Sequence, residues 1–232
     1  MSELDNTSNL MEQGWQEGTE MPDEVGESLT AEGATALHGA EDPRTFRLER
    51  SEEYIEPMSR VREVAPFQDP SATVERINPL YDPECGDDPY TVNCADCARC
   101  FEATWRGQEH EAAGRAVHLD EQGGLEVAGE TSEQTEEWAH EEFESVRAPE
   151  LRSALEVGGH GSSAIVHSTW EGMLPGGHAY NVVNYEGQVI TVDSQEGKVF
   201  EYSDWEIYTD LETMPGVSHR AMAWDSKGRR IL

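Results

Sequence analysis

The pattern of apolar and polar positions divides the chain near residue 76. Before it, acidic residues, Gly, Ser and Thr predominate without a sustained apolar period, and Leu10, Met11, Trp15 and Met21 are too thinly spaced to build a core. That pattern predicts an acidic, disordered or loosely helical arm over 1–75, in which 54–64 is a candidate ordered strap. A second unit, over 76–232, has the patterning of a packed domain. It starts with a lead-in, Asn78 to Tyr90, that is dense in turn formers. From Cys94 to Arg106, the residues Cys94, Cys97, Ala98, Phe101 and Trp105 form one stripe at helical period, and Asp96, Arg99, Glu102 and Arg106 fall off it. Asn93 is the expected N-cap and Gly107 the expected stop.

Residues 108–129 are mixed, with glycines marking turns. Glu130 to Val146 predicts a second helix with Trp138, Phe143 and Val146 inside and its glutamates on a solvated outer face, and a helix to Leu155 is expected to follow Pro149. From Gly158 the period changes. Ser163–Trp170, Gly177–Tyr185, Gln188–Asp193 and Lys198–Tyr202 are β-rich and separated by Gly or Pro turns, which predicts an antiparallel meander. Ile207, Tyr208 and Leu211, then Ala221, Met222 and Trp224, supply a further strand or two, and the residues around Arg229 are expected to fray. Helices first and strands second make the fold class α+β.

Charge narrows the partners. Against 16 basic residues stand 48 acidic ones, a formal charge of -32. Such a field repels phosphate backbones and anionic lipid, so nucleic acid and membrane surfaces are not expected partners, whereas a basic protein is compatible. Hydrophobic residues make up 36% and mean hydropathy is -0.69, so much of the chain lies outside a core. No apolar run is long enough to span a bilayer. Met1 to Asp5 lacks the positive and apolar regions of a signal peptide. The expectation is a protein cytoplasmic as made, with a non-classical export route or virion association as its ways out.

All four cysteines, Cys85, Cys94, Cys97 and Cys100, lie in one short stretch, which argues against a disulfide scaffold and leaves a reactive thiol or a metal site. Zinc on the three helix cysteines with Cys85 or a histidine is the rival, but Cys-x-x-Cys-x-x-Cys in one helix spreads its ligands around the circumference, so no metal or cofactor is expected. Cys94 is placed at the first helical position, where unpaired N–H groups and the helix dipole favour a thiolate. The N–H of Cys94 with a neighbouring donor could form an oxyanion hole. Cys97 and Cys100 read as packing residues.

The partners of Cys94 follow from strand register. With Tyr185 opposite Gln188 across a two-residue Glu186-Gly187 turn, Tyr180 falls opposite Asp193 and His178 opposite Gln195. His178 and Asp193 then share one face as diagonal neighbours. The aspartate can fix the tautomer of the imidazole, whose other nitrogen takes the thiol proton. His160 and His167 are the nearest substitutes for His178.

Asn93-Cys94-x-x-Cys97, Arg106-Gly107, Gly177-His178-x-x-Asn181 and Asp193-x-Gln195 together resemble the papain-fold toxin family of glutamine-deamidase type, found in bacterial polymorphic toxins and some phage head-associated proteins. The resemblance covers roughly 78–225. It implies a papain-like cysteine hydrolase fold, in which an N-terminal helix carrying the cysteine packs on an antiparallel sheet carrying His and Asp. It assigns Cys94 as nucleophile, His178 as base and Asp193 as the orienting group, with Asn93 and Gln195 in supporting or oxyanion roles. The implied reaction is deamidation of accessible glutamines on a target protein, in the setting of a toxin or effector that an immunity protein could accompany. The same three residues would serve a cysteine peptidase or acyltransferase, and a non-catalytic virion or interaction module would keep the same fold.

Overall fold

The computed structural model describes residues 62–84, 89–115, 117–119, 125–127, 129–170, 176–202 and 217–232. Most of the expected acidic arm, Cys85, and the stretch containing Ile207, Tyr208 and Leu211 lie outside the described residues. The chain from Arg62 is already packed on the domain. Arg62–Glu63 (β1) pairs with Gln108–Glu109 (β2), Val64 N–H donates to Gly107 O at 2.8 Å, and Val74 and Ile77 are buried in the core.

Cys94–Trp105 forms helix α1, and it ends where the sequence pattern places its end. Gly107 has φ +113°, a left-handed value, and a Cβ there would meet Val64 O at 3.1 Å. Only glycine accommodates both demands.

The Glu130–Val146 stretch does not form the long helix expected. Helix α2 covers only Ser132–Ala139 and closes on His140 in the left-handed region, φ 52°. The chain then turns, Glu144–Ser145 (β5) pairs with the edge of the sheet, and Ala148–Gly158 forms helix α3 with Pro149 in its first turn. The ragged apolar period explains the difference. Trp138, Phe143 and Val146 are all buried, and breaking the helix lets the last two reach the core while the backbone pairs with a strand.

Val117–Leu119 (β3) and Leu125–Val127 (β4) pair antiparallel as a separate two-stranded sheet. The main sheet takes Ser163–Trp170 (β6), Gly176–Tyr185 (β7), Gln188–Asp193 (β8), Lys198–Glu201 (β9) and Ser218–Trp224 (β10), in the order β5-β10-β6-β7-β8-β9. Every neighbouring pair is antiparallel. The architecture is α+β, as expected.

Alternation along the strands assigns the two faces. Ile165, Ala179, Met222 and Trp224 pack against Ala95 and Ala98 of α1 and Trp138 of α2. Ala164, Val166, Val182, Ala221 and Ala223 pack against Leu151 and Leu155 of α3. Each fully buried leucine of α3 contributes about 1.5–3 kcal/mol of apolar transfer. The C-terminus is held rather than frayed: Ile231 N–H donates to Ala223 O at 2.8 Å, and Arg230 pairs with Glu141 and Glu144. Among the described residues, no helix is long and apolar enough to cross a membrane.

Helix α1 is buried nearly all round, including its off-stripe residues Asp96, Arg99, Glu102 and Arg106. Arg106 Nε donates to Glu102 Oε1 at 2.6 Å and its Nη2 to Ser163 Oγ at 2.9 Å, tying the end of α1 to the start of β6. Arg99 Nη2 donates to Asp96 Oδ1 at 3.0 Å and to Glu130 Oε2 at 2.9 Å. Glu130 therefore leaves the solvated face expected of it and becomes a fully buried acceptor for Arg99 and Arg115.

Two stability outcomes follow from these local forces. Arg106→Ala leaves Glu102 buried without its cation and should cost about 3–5 kcal/mol in urea unfolding. In the β7–β8 turn, Glu186 and Gly187 have φ 51° and 88°, the left-handed pair of a two-residue hairpin turn. Glu186→Asn, a residue that tolerates this region, should raise stability by about 0.5–1 kcal/mol in the same experiment.

Candidate active site

The first turn of α1, the start of β7 and the end of β8 converge at one end of the sheet. The expected register is present, with Tyr185 opposite Gln188 and Asn181 opposite Val192. Beyond that last pair, His178 Nε2 and Asp193 Oδ2 lie 2.8 Å apart. Asp193 is fully buried, and its other oxygen accepts from the backbone N–H of Gln195 at 3.0 Å and of Glu196 at 3.2 Å. Three donors therefore fix this carboxylate, and it in turn fixes the imidazole.

The Cys94 thiol lies close enough to the His178 ring and to the backbone N–H of Ala179 for both to act on its acidity. With Nε2 turned to Asp193, Nδ1 is the ring nitrogen left for sulfur. Burial pushes the Cys94 thiol up, but the hydrogen bond and positive charge of His178, with the Ala179 N–H, outweigh it and hold the thiol below its ordinary value. Burial likewise pulls His178 down, and the hydrogen bond and charge of Asp193, then those of Cys94, raise it well above the usual histidine range. A thiolate–imidazolium pair is the state these shifts favour. Such a pair can attack a carbonyl carbon and then supply a proton to the departing group.

The other two helix cysteines have different surroundings. Cys97 packs with Phe101, Val183 and Val192, and the Cys100 thiol lies 3.9 Å from Asp96 Oδ2. Burial and then the Asp96 charge push both thiols well up, away from the thiolate form. Among the described residues, no three His, Cys, Asp or Glu side chains converge as a metal site.

Asn93 differs from its expected role. Its side chain makes no cap bond; its Nδ2 donates to Asn78 Oδ1 at 3.1 Å and to Ala113 O at 3.0 Å. Both amide hydrogens are thereby committed, so the Asn93 side chain has none left for an oxyanion. Its partner Asn78 donates to Tyr90 O at 2.9 Å and to Gln195 O at 3.0 Å. Asn78 thus joins the residue before Cys94 to the loop after Asp193. The sequence marks Asn78 only as the start of the turn-rich lead-in; its bond to Gln195 spans most of the domain, and no local pattern encodes it.

Gln195 is 7% exposed, and its Nε2 is a buried donor without a hydrogen-bond partner. It lines a cleft of about 500 Å³ together with Thr91, Cys94, Ser132, His167, Gly177 and His178. His160 lies elsewhere, in an aromatic cluster with Phe67, Trp105 and Tyr185.

A cysteine at the head of a helix packed on an antiparallel sheet that carries histidine and aspartate defines a papain-like fold. Residues 92–198, which include all three, match the family model described as papain fold toxin 1, glutamine deamidase. No curated protein and no solved structure matches the chain.

The pKa directions set a pH window. The Cys94 value is lowered, so the thiolate is lost only as pH falls through that lowered value. The His178 value is raised, so the imidazolium is lost as pH rises through it. Alkylation of Cys94 by iodoacetamide should therefore stay fast well below the ordinary thiol range, with Cys97 and Cys100 unlabelled in the folded protein. Asp193→Asn should move the onset of alkylation to higher pH, read as the rate of mass gain on the Cys94 peptide across a pH series.

Proposed function

We propose that the chain is a cysteine-dependent protein-glutamine deamidase of toxin or effector type. The observation that supports this reading is the 2.8 Å contact of His178 with Asp193, beside a Cys94 thiol whose acidity His178 raises, within the segment that matches the deamidase family model. The Cys94 thiolate attacks the side-chain amide carbon of a glutamine in the target protein. Negative charge collecting on the amide oxygen is met by the N–H of Cys94, unpaired in the first turn of α1, and by Nε2 of Gln195. His178 gives its proton to the nitrogen as the carbon–nitrogen bond breaks, and ammonia leaves. The neutral imidazole then takes a proton from water, which attacks the thioester, and glutamate and the free thiol are released.

Gln195 has a specific place in this scheme. A buried amide N–H₂ without a partner carries a desolvation cost in the resting protein. That cost is recovered when an oxyanion forms beside it, so the bond is made in the transition state rather than with the substrate. The backbone of Gln195 is held at both ends, its N–H by Asp193 and its carbonyl by Asn78, which limits how far the side chain can drift.

Incubation with glutamine-bearing proteins should release ammonia and add about one dalton per modified site, the exchange of an amide nitrogen for water oxygen. Cys94→Ala should abolish both signals. Intact masses with no cleavage products separate deamidation from peptidase action, and cleavage without ammonia would reject the deamidase assignment. Gln195→Ala should lower kcat by about 10²–10³, the usual loss for one oxyanion donor, with little change in KM.

A further inference from the structure

The cleft holds a second histidine that the reaction scheme leaves unused. His167 lies on β6 directly across from Ala179, whose N–H acts on the acidity of the Cys94 thiol. On its other side it faces Arg220 of β10. Arg220 is fixed in place, donating to Ser132 Oγ at 2.8 Å with its guanidinium 5.6 Å from the centre of the Phe143 ring. Its Nη2 stands 3.5 Å from His167 Nδ1. An arginine can only donate, so Nδ1 must accept and the ring hydrogen belongs on Nε2.

That Nε2–H faces Gly177 and the cleft. A Cβ at Gly177 would stand 3.1 Å from it, so the glycine next to His178 keeps the approach to this donor open. Charges around the ring come from Arg220 and His178, which oppose its protonation, and from Glu133 and Glu136, which favour it. Burial, then Arg220 and His178, hold the ring below the ordinary histidine range, so it stays neutral. A neutral imidazole with a fixed N–H is a hydrogen-bond donor for an uncharged acceptor.

We propose that His167 is a substrate-positioning residue whose Nε2–H takes a main-chain carbonyl of the segment carrying the target glutamine, so that the cleft selects glutamine within a polypeptide over the free amino acid. This rests on the deamidase reading for the identity of the substrate, and its geometry comes from His167, Arg220 and Gly177. The amide oxygen of the glutamine side chain goes to Gln195 and Cys94, whereas His167 binds the backbone beside it.

The test reads occupancy of the cleft rather than product. Iodoacetamide labelling of Cys94 is followed with increasing Ac-Ala-Ala-Gln-Ala-Ala-NH₂, and the half-protecting concentration is compared with that of free glutamine. The peptide should protect at lower concentration than the free amino acid. In His167→Phe, which keeps a ring and loses the donor, the half-protecting concentration of the peptide should rise about five- to tenfold, the usual worth of one neutral hydrogen bond. In His167→Gln, whose amide N–H₂ can stand in for Nε2–H, it should return to within about threefold of the parent value. Equal protection of parent and His167→Phe overturns the proposal, as does equal protection by peptide and free glutamine, or no protection of the parent by the peptide. Ammonia release from proteins by the parent is measured separately. Its absence sinks the deamidase reading, while the labelling result still decides the role of His167.

Discussion

A helix enclosed on every side can carry charged residues only when each finds a partner, and α1 is such a helix. Asp96, Arg99, Glu102 and Arg106 are all buried, and their ion pairs and hydrogen bonds tie α1 to Glu130 before α2, to Ser163 at the start of β6 and to the backbone carbonyl of Asp225 beyond β10. Removing one member leaves a charge in a medium that solvates it poorly, so the helix has few alternative placements. Directional pairs fix rotation and depth, which apolar packing by Ala98 and Phe101 alone leaves looser. Everything at the first turn of α1 inherits that placement, including the thiol of Cys94.

The site is then built from opposing demands on the same few groups. Burial penalises both the thiolate and the imidazolium, and each is offset by the other and by Asp193. Asp193 can hold its negative charge in a fully buried position because two backbone N–H groups and the imidazole surround it. Two N–H groups of the loop after β8 thus support the carboxylate, the carboxylate supports the ring, and the ring supports the sulfur. Asn78 joins this loop to the segment before α1 through a single side chain, so Cys94 and Asp193 are held in one framework.

Burial pushes all three helix cysteines up, and they recur at equal spacing along one helix, yet their net shifts are opposite. Cys97 and Cys100 meet hydrocarbon and the Asp96 carboxylate, and their thiols stay protonated. Cys94 meets an imidazole and a backbone N–H. The direction of each thiol's shift follows the neighbours that tertiary structure supplies, rather than the spacing of the residues.

Local patterns determined a good deal of this protein. The helical stripe from Cys94 to Trp105, its glycine stop, the strands of the meander, and the Glu186-Gly187 turn that brings His178 and Asp193 to one face are all written in short stretches of sequence. Each depends on interactions over a few residues or across one turn, which is the range over which periodicity and turn chemistry operate. Tertiary structure decided what depends on distant partners. It buried Glu130 against Arg99 and Arg115, broke the Glu130–Val146 stretch so that β5 could pair with β10, turned Asn93 from a cap into a tether for Asn78, and set His167 between Arg220 and Gly177. In each case the residue's local preference was weaker than the cost of leaving a charge, a strand edge or an amide unpaired inside the fold, and that cost exists only once the chain has closed around it.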